Sequence, residues 1–352
     1  MKKFSSNDIF ILSSSCKLTK GVNRSLLVDY LRSDVHVISN EYYNLIQLLN
    51  RNYVHKIIEQ IDENSLGYFF NFIDFMLKND FGLIINDLHQ FPEISTELHD
   101  EHIILKDCII EIDENSFETS RFVNTINQID KLLCDDLQLR IFSSSSLDFV
   151  DNILEIINTV DIFCVEIHCA TSGNILQDEW FYLIEKYAML SNVFIYDSGA
   201  NKKIDFTKYS SKNAPLLMGN IFYLDSKLDS QSCGIITQEN LTFGDVGMYN
   251  LLKTYNGCLY KKLTIDKDGN IKNCPFINKK FGKIKDVDLS EIINSKEFQK
   301  LWFIKKDDIE ICKDCEFRYN CTDCRAFLSD KCNIHSKPLK CSYNPYTNVW
   351  DS

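Results

Sequence analysis

The chain has 352 residues, 45% hydrophobic and 12% aromatic, which excludes a disordered protein and allows two or three globular units. Acidic residues outnumber basic ones 50 to 38 for a net charge of −12, and no polybasic stretch offsets this, so nucleic acid and anionic membrane surfaces are poor partners. The opening MKKFSSNDIFILSSSCKLTK has its apolar run broken by Asn7 and Asp8, unlike a signal peptide, and no run approaches a membrane span; the expectation is a cytoplasmic protein with no membrane partner.

The first fifty residues read as short strands at DIFILS, SLLVDY and VHVIS, followed by a helix from Asn40 through EYYNLIQLLN, a small strand ribbon with a helix behind it. YVHKIIEQI and SLGYFFNFIDFMLKND carry apolar residues at helical spacing, and Asn79-Asp80 ahead of Gly82 marks a stop. From about residue 82 to 210, strand-like runs (LIIND, HIILKDCIIEI, LQLRIF, IFCVEIHC, VFIYDS) alternate with helical patterns (SFETSRFVNTINQIDKLL, SLDFVDNILEIINTV, LQDEWFYLIEKYAML). Such alternation implies βαβ crossovers and a mostly parallel sheet. The fold class is therefore α/β, with a partial barrel or open sheet in the middle. A connector of mixed character, about 205 to 255, leads into the C-terminal end.

Of 14 cysteines, six (16, 108, 134, 164, 169, 233) are scattered and eight (258, 274, 312, 315, 321, 324, 332, 341) crowd into the last stretch. A chain with a conventional core needs no disulfide staples, so the tail reads as metal-binding. CLYKKLTIDKDGNIKNC holds Cys258 and Cys274 at the open end of a hairpin, KKLTI and IKNC, with Gly269 supplying the positive φ of its turn. The DKDGN loop is no calcium site, because Ile277 stands where a bidentate glutamate belongs. After DLSEIINSKEFQKLWFI, one or two amphipathic helices, comes CKDCEFRYNCTDC, two C-x-x-C turns whose sulfurs can converge on a metal or cluster. With Cys332 and Cys341 these thiolates suffice for about two four-cysteine sites. Tetrahedral four-thiolate geometry suits zinc as well as iron, so a binding or scaffold protein with a structural zinc module is the competing reading.

This pattern resembles the SPASM domain, the C-terminal extension of many radical S-adenosylmethionine peptide-modifying enzymes. Cys258, Gly269, Cys274, Cys312, Cys315 and Cys321 match its spacing, while Cys324 lies one residue closer to Cys321 than is usual. The resemblance implies that Cys312, Cys315, Cys321 and Cys341 hold one [4Fe-4S] cluster. It implies that Cys258, Cys274 and Cys324 hold a second, with Cys332, Cys233 or no cysteine as fourth ligand. Lys313, Arg318, Arg325 and Lys331 are candidates to offset the negative charge, or are simply a solvated face.

FGKIKDVDL, FQKLWFIKKDDIEICKDCEFRYNCTDCR and KPLKCSYNPYTNVW further resemble peptide maturases of the grasp-with-SPASM type, and FILSSSCKLTKGVNRSLLVDYLRSD is similar to the N-terminal segment of that family at Cys16, Gly21, Ser25 and Asp29. The resemblance implies three units: 1–50, like leader-peptide-recognition units; 51–255, a degenerate radical-SAM-like (β/α) partial barrel; and 256–352, the SPASM domain. It implies two partners, a ribosomal precursor peptide and an ATP-grasp ligase, and puts the peptide-binding candidates near Cys16, Gly21, Ser25 and Asp29. The ribbon is equally readable as a plain packed sheet or as an edge that a leader strand augments.

No C-x3-C-x2-C triplet exists, so S-adenosylmethionine cleavage is not supported and no catalytic residue is assigned. G-x-G-x-x-G, P-loop and HExxH motifs are also absent. His99 and His102 in LHDEH read as a charged loop before a metal pair. Glu166 and His168 near Cys164 and Cys169 read as strand alternation before a Cys–His nucleophile. Cys108, Cys134 and Cys16 read as packed thiols.

Overall fold

The computed structural model describes residues 4–93, 103–143, 145–170, 176–205, 219–229, 233 and 236–350; the pair His99 and His102 lies outside the described residues.

The N-terminal unit runs β1 (Ile9–Leu12), β2 (Cys16–Lys20), β3 (Arg24–Asp29), β4 (Asp34–Ser39), α1 (Asn40–Leu49), β5 (Asn52–Tyr53), α2 (Val54–Ile58), α3 (Leu66–Lys78) and β6 (Gly82–Ile85). Strands β2, β3 and β4 form an antiparallel meander in which Cys16 faces Asp29 and Asp29 faces Asp34. Helix α1 starts where expected because the Ser39 hydroxyl accepts from the Tyr42 N–H, relieving one of the orphan donors of the first turn. Helix α3 buries Phe69, Phe72, Ile73 and Met76, the one-faced spacing read from its sequence. It ends at Asp80, whose φ of 55° is left-handed. Its stripe, with Phe10, Leu27, Ile46 and Leu49, makes the unit's core.

One expected strand is placed differently. LIIND opens no βαβ crossover: its Gly82–Ile85 part pairs antiparallel with β1, while β5 takes the other edge of β1. A four-residue strand directly after α3 has no long crossover to reach a parallel neighbour, so it folds back on the nearest edge.

The central sheet is built by β7 (Asp107–Ile112), α4 (Thr119–Lys131), β8 (Asp136–Ile141), α5 (Leu147–Ile157), β9 (Cys164–Ala170), α6 (Gln177–Lys186), β10 (Leu190–Tyr196), β11 (Lys202–Asp205) and β12 (Asn220–Tyr223). The connector then forms α7 (Val246–Thr254), and the hairpin β13 (Lys262–Ile265) and β14 (Ile271–Lys272) follows. The eight strands lie in the order β11-β12-β10-β9-β8-β7-β13-β14. Pairs β7–β8, β8–β9, β9–β10, β10–β12 and β7–β13 are parallel, and β11 and β14 are antiparallel edges. The expected mixed α/β architecture with a largely parallel sheet is present. Apolar residues on one face, among them Leu139, Ile141, Val165, Ile167 and Val193, pack against Ile126, Ile153, Leu154 and Leu183 of α4 to α6. The connector supplies one strand, β12, and the helix α7, which its mixed composition concealed.

The cysteine-rich hairpin is part of this sheet, since β13 continues it beside β7. Beyond it come α8 (Leu289–Ile293), α9 (Lys296–Gln299) and the ribbon β15 (Tyr343–Asn344) and β16 (Val349–Trp350). Helix α8 is tied to α4, where the Gln128 side chain accepts from the Leu289 N–H at 2.9 Å.

Candidate metal centre

Three local devices present the cysteines. The first is the hairpin. Asp266 accepts from the N–H groups of Asp268 and Asn270, and Gly269 takes φ 79°, so the arms reverse tightly and Cys258 and Cys274 flank their open end as the spacing predicted. The second is Asn256, which is 1% exposed. Its Oδ1 accepts from the N–H groups of Cys258 and Leu259, and its Nδ2 donates to Asp323 Oδ2 at 2.7 Å. One buried amide thus orients the first cysteine and reaches the segment between Cys321 and Cys324. The third is the turn Cys312–Asp314, in which the Cys315 N–H reaches the Cys312 carbonyl at 3.0 Å and the Phe317 N–H donates to Cys315 Sγ at 3.4 Å.

Cys274, Cys312, Cys321 and Cys324 are buried; Cys258, Cys315 and Cys341 are half-buried; Cys233 and Cys332 are exposed. Burial pushes Cys258 up to about 11, Cys274 to about 12 and Cys312 to about 11, and raises Cys315, Cys321 and Cys233 as well. Neighbouring thiolate charge adds to this, and it sorts the cysteines into two groups. Cys258 feels Cys324 and Cys233, Cys274 feels Cys258 and Cys233, and Cys233 feels Cys324. Separately, Cys312 feels Cys321 and Cys341, Cys315 feels Cys321 and Cys312, and Cys321 feels Cys341.

The backbone around Cys233 is tied to the segment that carries Cys341: Lys340 Nζ donates to the Cys233 carbonyl at 2.6 Å, and Ile236 bridges Cys341. Cys332 sits exposed in a turn capped by Asp330. Among the described residues no three His, Cys, Asp or Glu side chains are placed to hold a single metal ion. A lone zinc needs its sulfurs about 2.3 Å from one centre; an iron–sulfur cubane carries them at the corners of a wider tetrahedron. The donor set fits a cluster in number and chemistry.

The cations around these groups differ from those expected. Lys313 and Lys331 are exposed. Arg318 pairs with Asp307 at 2.9 Å and donates to the carbonyls of Lys20 and Cys315. Arg325 is interior, paired with Asp323 at 2.5 Å. Two lysines were not legible. Lys262 stands beside the first group: burial works against its charge, but Cys258, Asp107, Cys274 and Cys233 outweigh it and hold it protonated. Lys306, 4% exposed, pairs with Asp323 at 3.1 Å, and its charge opposes the effect of burial on Cys312 and Cys321.

The remaining candidates are interior. Cys16 is buried opposite Asp29. Ser25 donates to Asn40 Oδ1 at 2.6 Å, and Asp29 pairs with Arg32 at 2.6 Å. Gly21 abuts the backbone of Glu316, where a Cβ would lie 2.9 Å from its N. On β9, Cys164, Glu166 and His168 share one face and Cys169 is buried on the other. His168 binds Glu166 at 2.6 Å and Tyr196 at 3.0 Å, and Cys164 binds Ser191 at 2.9 Å. Four strand residues span about 13 Å, so His168 and Cys164 form no nucleophilic pair. Cys108 and Cys134 are packed in the core. The loop between β7 and α4, residues 113–118, is DENSFE and contains no thiol.

Residues 257–316 match the SPASM model, an iron-sulfur cluster-binding domain. The matched segment of this SPASM region holds Cys258, Cys274, Cys312 and Cys315. No curated protein matches the chain. Among solved structures, anSMEcpe with bound AdoMet is similar at 10% identity and TM-score 0.40, over 68% of this chain and 94% of its own. SuiB of Streptococcus suis bound to S-adenosylmethionine is similar at 9% identity and TM-score 0.32, over 94% of this chain and 99% of its own. SuiB bound to its precursor peptide SuiA aligns at 10% and 0.34, over 90% and 96%. Among the described residues no helix is long and apolar enough to cross a membrane.

Proposed function

We propose that this chain is a maturation protein for a ribosomally made peptide, whose SPASM region holds two [4Fe-4S] clusters and which works with an ATP-grasp ligase. The observation that carries the reading is the match of residues 257–316 to the SPASM iron-sulfur domain, and the mutual electrostatics of the buried cysteines support two sets of four thiols. Cys312, Cys315, Cys321 and Cys341 form one ligand set. Cys258, Cys274 and Cys324 form the other, completed by Cys233 rather than by Cys332, which stands in a turn of its own. The ligase partner rests on the sequence resemblance at both ends of the chain.

The precursor's leader would add a strand to the N-terminal meander. The edge of β2 is partly engaged, because Tyr249 of α7 donates to the Leu18 carbonyl at 3.1 Å. Strand β4 is paired by β3 alone among the described residues, and Val37 and Phe75 are exposed near it. Since β4 registers directly against Ser25 and Asp29, those residues would support the docking edge from behind. The clusters would bind substrate, tune conformation or pass electrons; cleavage of S-adenosylmethionine is no part of the proposal.

The test is anaerobic purification with iron, zinc and acid-labile sulfide analysis and a visible spectrum, on the wild type, Cys315→Ala and Cys258→Ala. About eight irons with matching sulfide, falling by roughly half in each variant, is the expected result. A colourless protein with about two zincs and no sulfide would overturn it and leave a zinc-stapled binding protein.

A further inference from the structure

Beside the second cysteine group lies a buried charge triad that does not balance. Lys306 and Arg325 both pair with Asp323, at 3.1 and 2.5 Å. Side-chain exposure is 5% for Lys306, 0% for Arg325 and 1% for Asp323. Among the described residues Asp323 is the one carboxylate paired with either cation, so two positive charges share one negative charge in the interior. Neutral groups take up part of the remainder: Asn256 donates to Asp323, and Arg325 donates to the carbonyls of Ile334 and Ser336.

An uncompensated interior cation is costly. Asp323 holds Lys306 against the segment between Cys321 and Cys324, where its charge acts on Cys321 and Cys312. Were Cys321 to remain a neutral thiol, the excess charge would stay unmatched; as a thiolate of an anionic cluster, it supplies what the triad lacks.

We infer that Lys306 is the built-in counter-ion of the cluster held by Cys312, Cys315, Cys321 and Cys341, and that it stabilises the reduced form of that cluster over the oxidised form. This rests on the cluster reading above. Reduction adds one electron from an external low-potential reductant and makes or breaks no protein bond, so the cluster gains negative charge beside a fixed ammonium. The first group has a different cation: Lys262 is half-buried and also faces Asp107, and Lys340 donates to the Cys233 carbonyl.

The experiment is a potentiometric titration of the anaerobically purified full chain, followed by visible and electron paramagnetic resonance spectra, with iron and sulfide measured on the same samples. Lys306→Met removes the cation and should move one of two midpoints to more negative potential. Lys306→Arg should hold it near the wild-type value. Asp323→Asn removes the opposing charge and should move the same midpoint the other way. Opposite shifts from neighbouring substitutions are a sign of charge, which a packing defect does not reproduce. Unmoved midpoints at full iron content, or shifts of the same sign in Lys306→Met and Asp323→Asn, overturn the inference. A wild type without iron and sulfide sinks the cluster reading, and this inference with it.

Discussion

Replacing Arg24 with Ala cuts the joint between the N-terminal meander and the SPASM region. The guanidinium Nε lies 2.6 Å from Glu316 Oε1, and a second nitrogen donates to Tyr343 Oη at 3.1 Å. Glu316 is 1% exposed, so in Arg24→Ala its charge stays in the interior with the Tyr343 hydroxyl, 2.5 Å away, as its remaining side-chain donor. Removing one partner of a buried pair costs about 3–5 kcal/mol. Because the Arg24 side chain is 29% exposed and Tyr343 remains, the loss should fall toward the low end, about 2–3 kcal/mol. With an unfolding entropy of about 2 cal/mol/K per residue, that lowers Tm by roughly 3–4 °C for a chain this long. The assay is anaerobic thermal unfolding at a fixed scan rate, in a double-mutant cycle with Glu316→Gln. The amide introduced by Glu316→Gln carries no charge, so removing Arg24 from that background should cost much less. A Tm within 1 °C or so of the wild type, or the same loss in both backgrounds, would refute the claim that a stranded carboxylate sets the penalty.

Gly21→Ala should disturb the same joint by sterics, since a Cβ would sit 2.6 Å from the Arg24 carbonyl and 2.9 Å from the Glu316 N. Both are backbone atoms that cannot rotate away, so a loss of about 1–3 kcal/mol is expected in the same assay. Cys233→Ala should reduce the iron content or change the spectrum of the first cluster, whereas Cys332→Ala should leave both unchanged; equal effects of the two would contradict the fourth-ligand assignment. Asp29 is held below the usual carboxylate range: burial works against it, and hydrogen bonds from Arg32, Ser15 and the Leu31 N–H outweigh that. A depressed folded-state value contributes stability above the unfolded pKa, near 3.9, and loses it as pH falls through the folded value. Acid unfolding of Asp29→Asn should therefore lack that component, so its stability gap to the wild type closes at low pH. A gap independent of pH would exclude the carboxylate as its source.

Local chemistry was the legible part. The hairpin turn at Gly269, the left-handed stop at Asp80, the stripe of α3 and the strand alternation of β9 depend on residues within a few positions of one another, where periodicity and turn propensity act. What pairs with what over long separations was not legible. LIIND reads equally well as a crossover strand or as a partner for β1, because three apolar residues carry no signal of their neighbour. The docking of β13 against β7 joins residues about 155 positions apart, and only the shared sheet edge reveals it. Asn256 and Lys306 look like ordinary polar residues in sequence; their roles come from burial, which composition does not encode.

That long-range pairing changes what the cysteine spacing means. A C-x-x-C turn fixes two sulfurs relative to each other and nothing else, so the tail alone could equally be a free-standing metal module. Here the first hairpin is a strand of the main sheet, and Arg318 joins the Cys315 carbonyl to the Lys20 carbonyl at the end of β2. Glu316, next to Cys315, receives Arg24 from β3. Any change at Cys315 therefore bears directly on the turn between β2 and β3, through groups that are partly or fully buried and poorly screened. On the proposed reading, ligand loading at Cys315 and docking at the N-terminal meander would share these contacts and so be linked. Disulfide staples or a detached zinc ribbon would create no such dependence between a cysteine site and a strand nearly three hundred residues earlier.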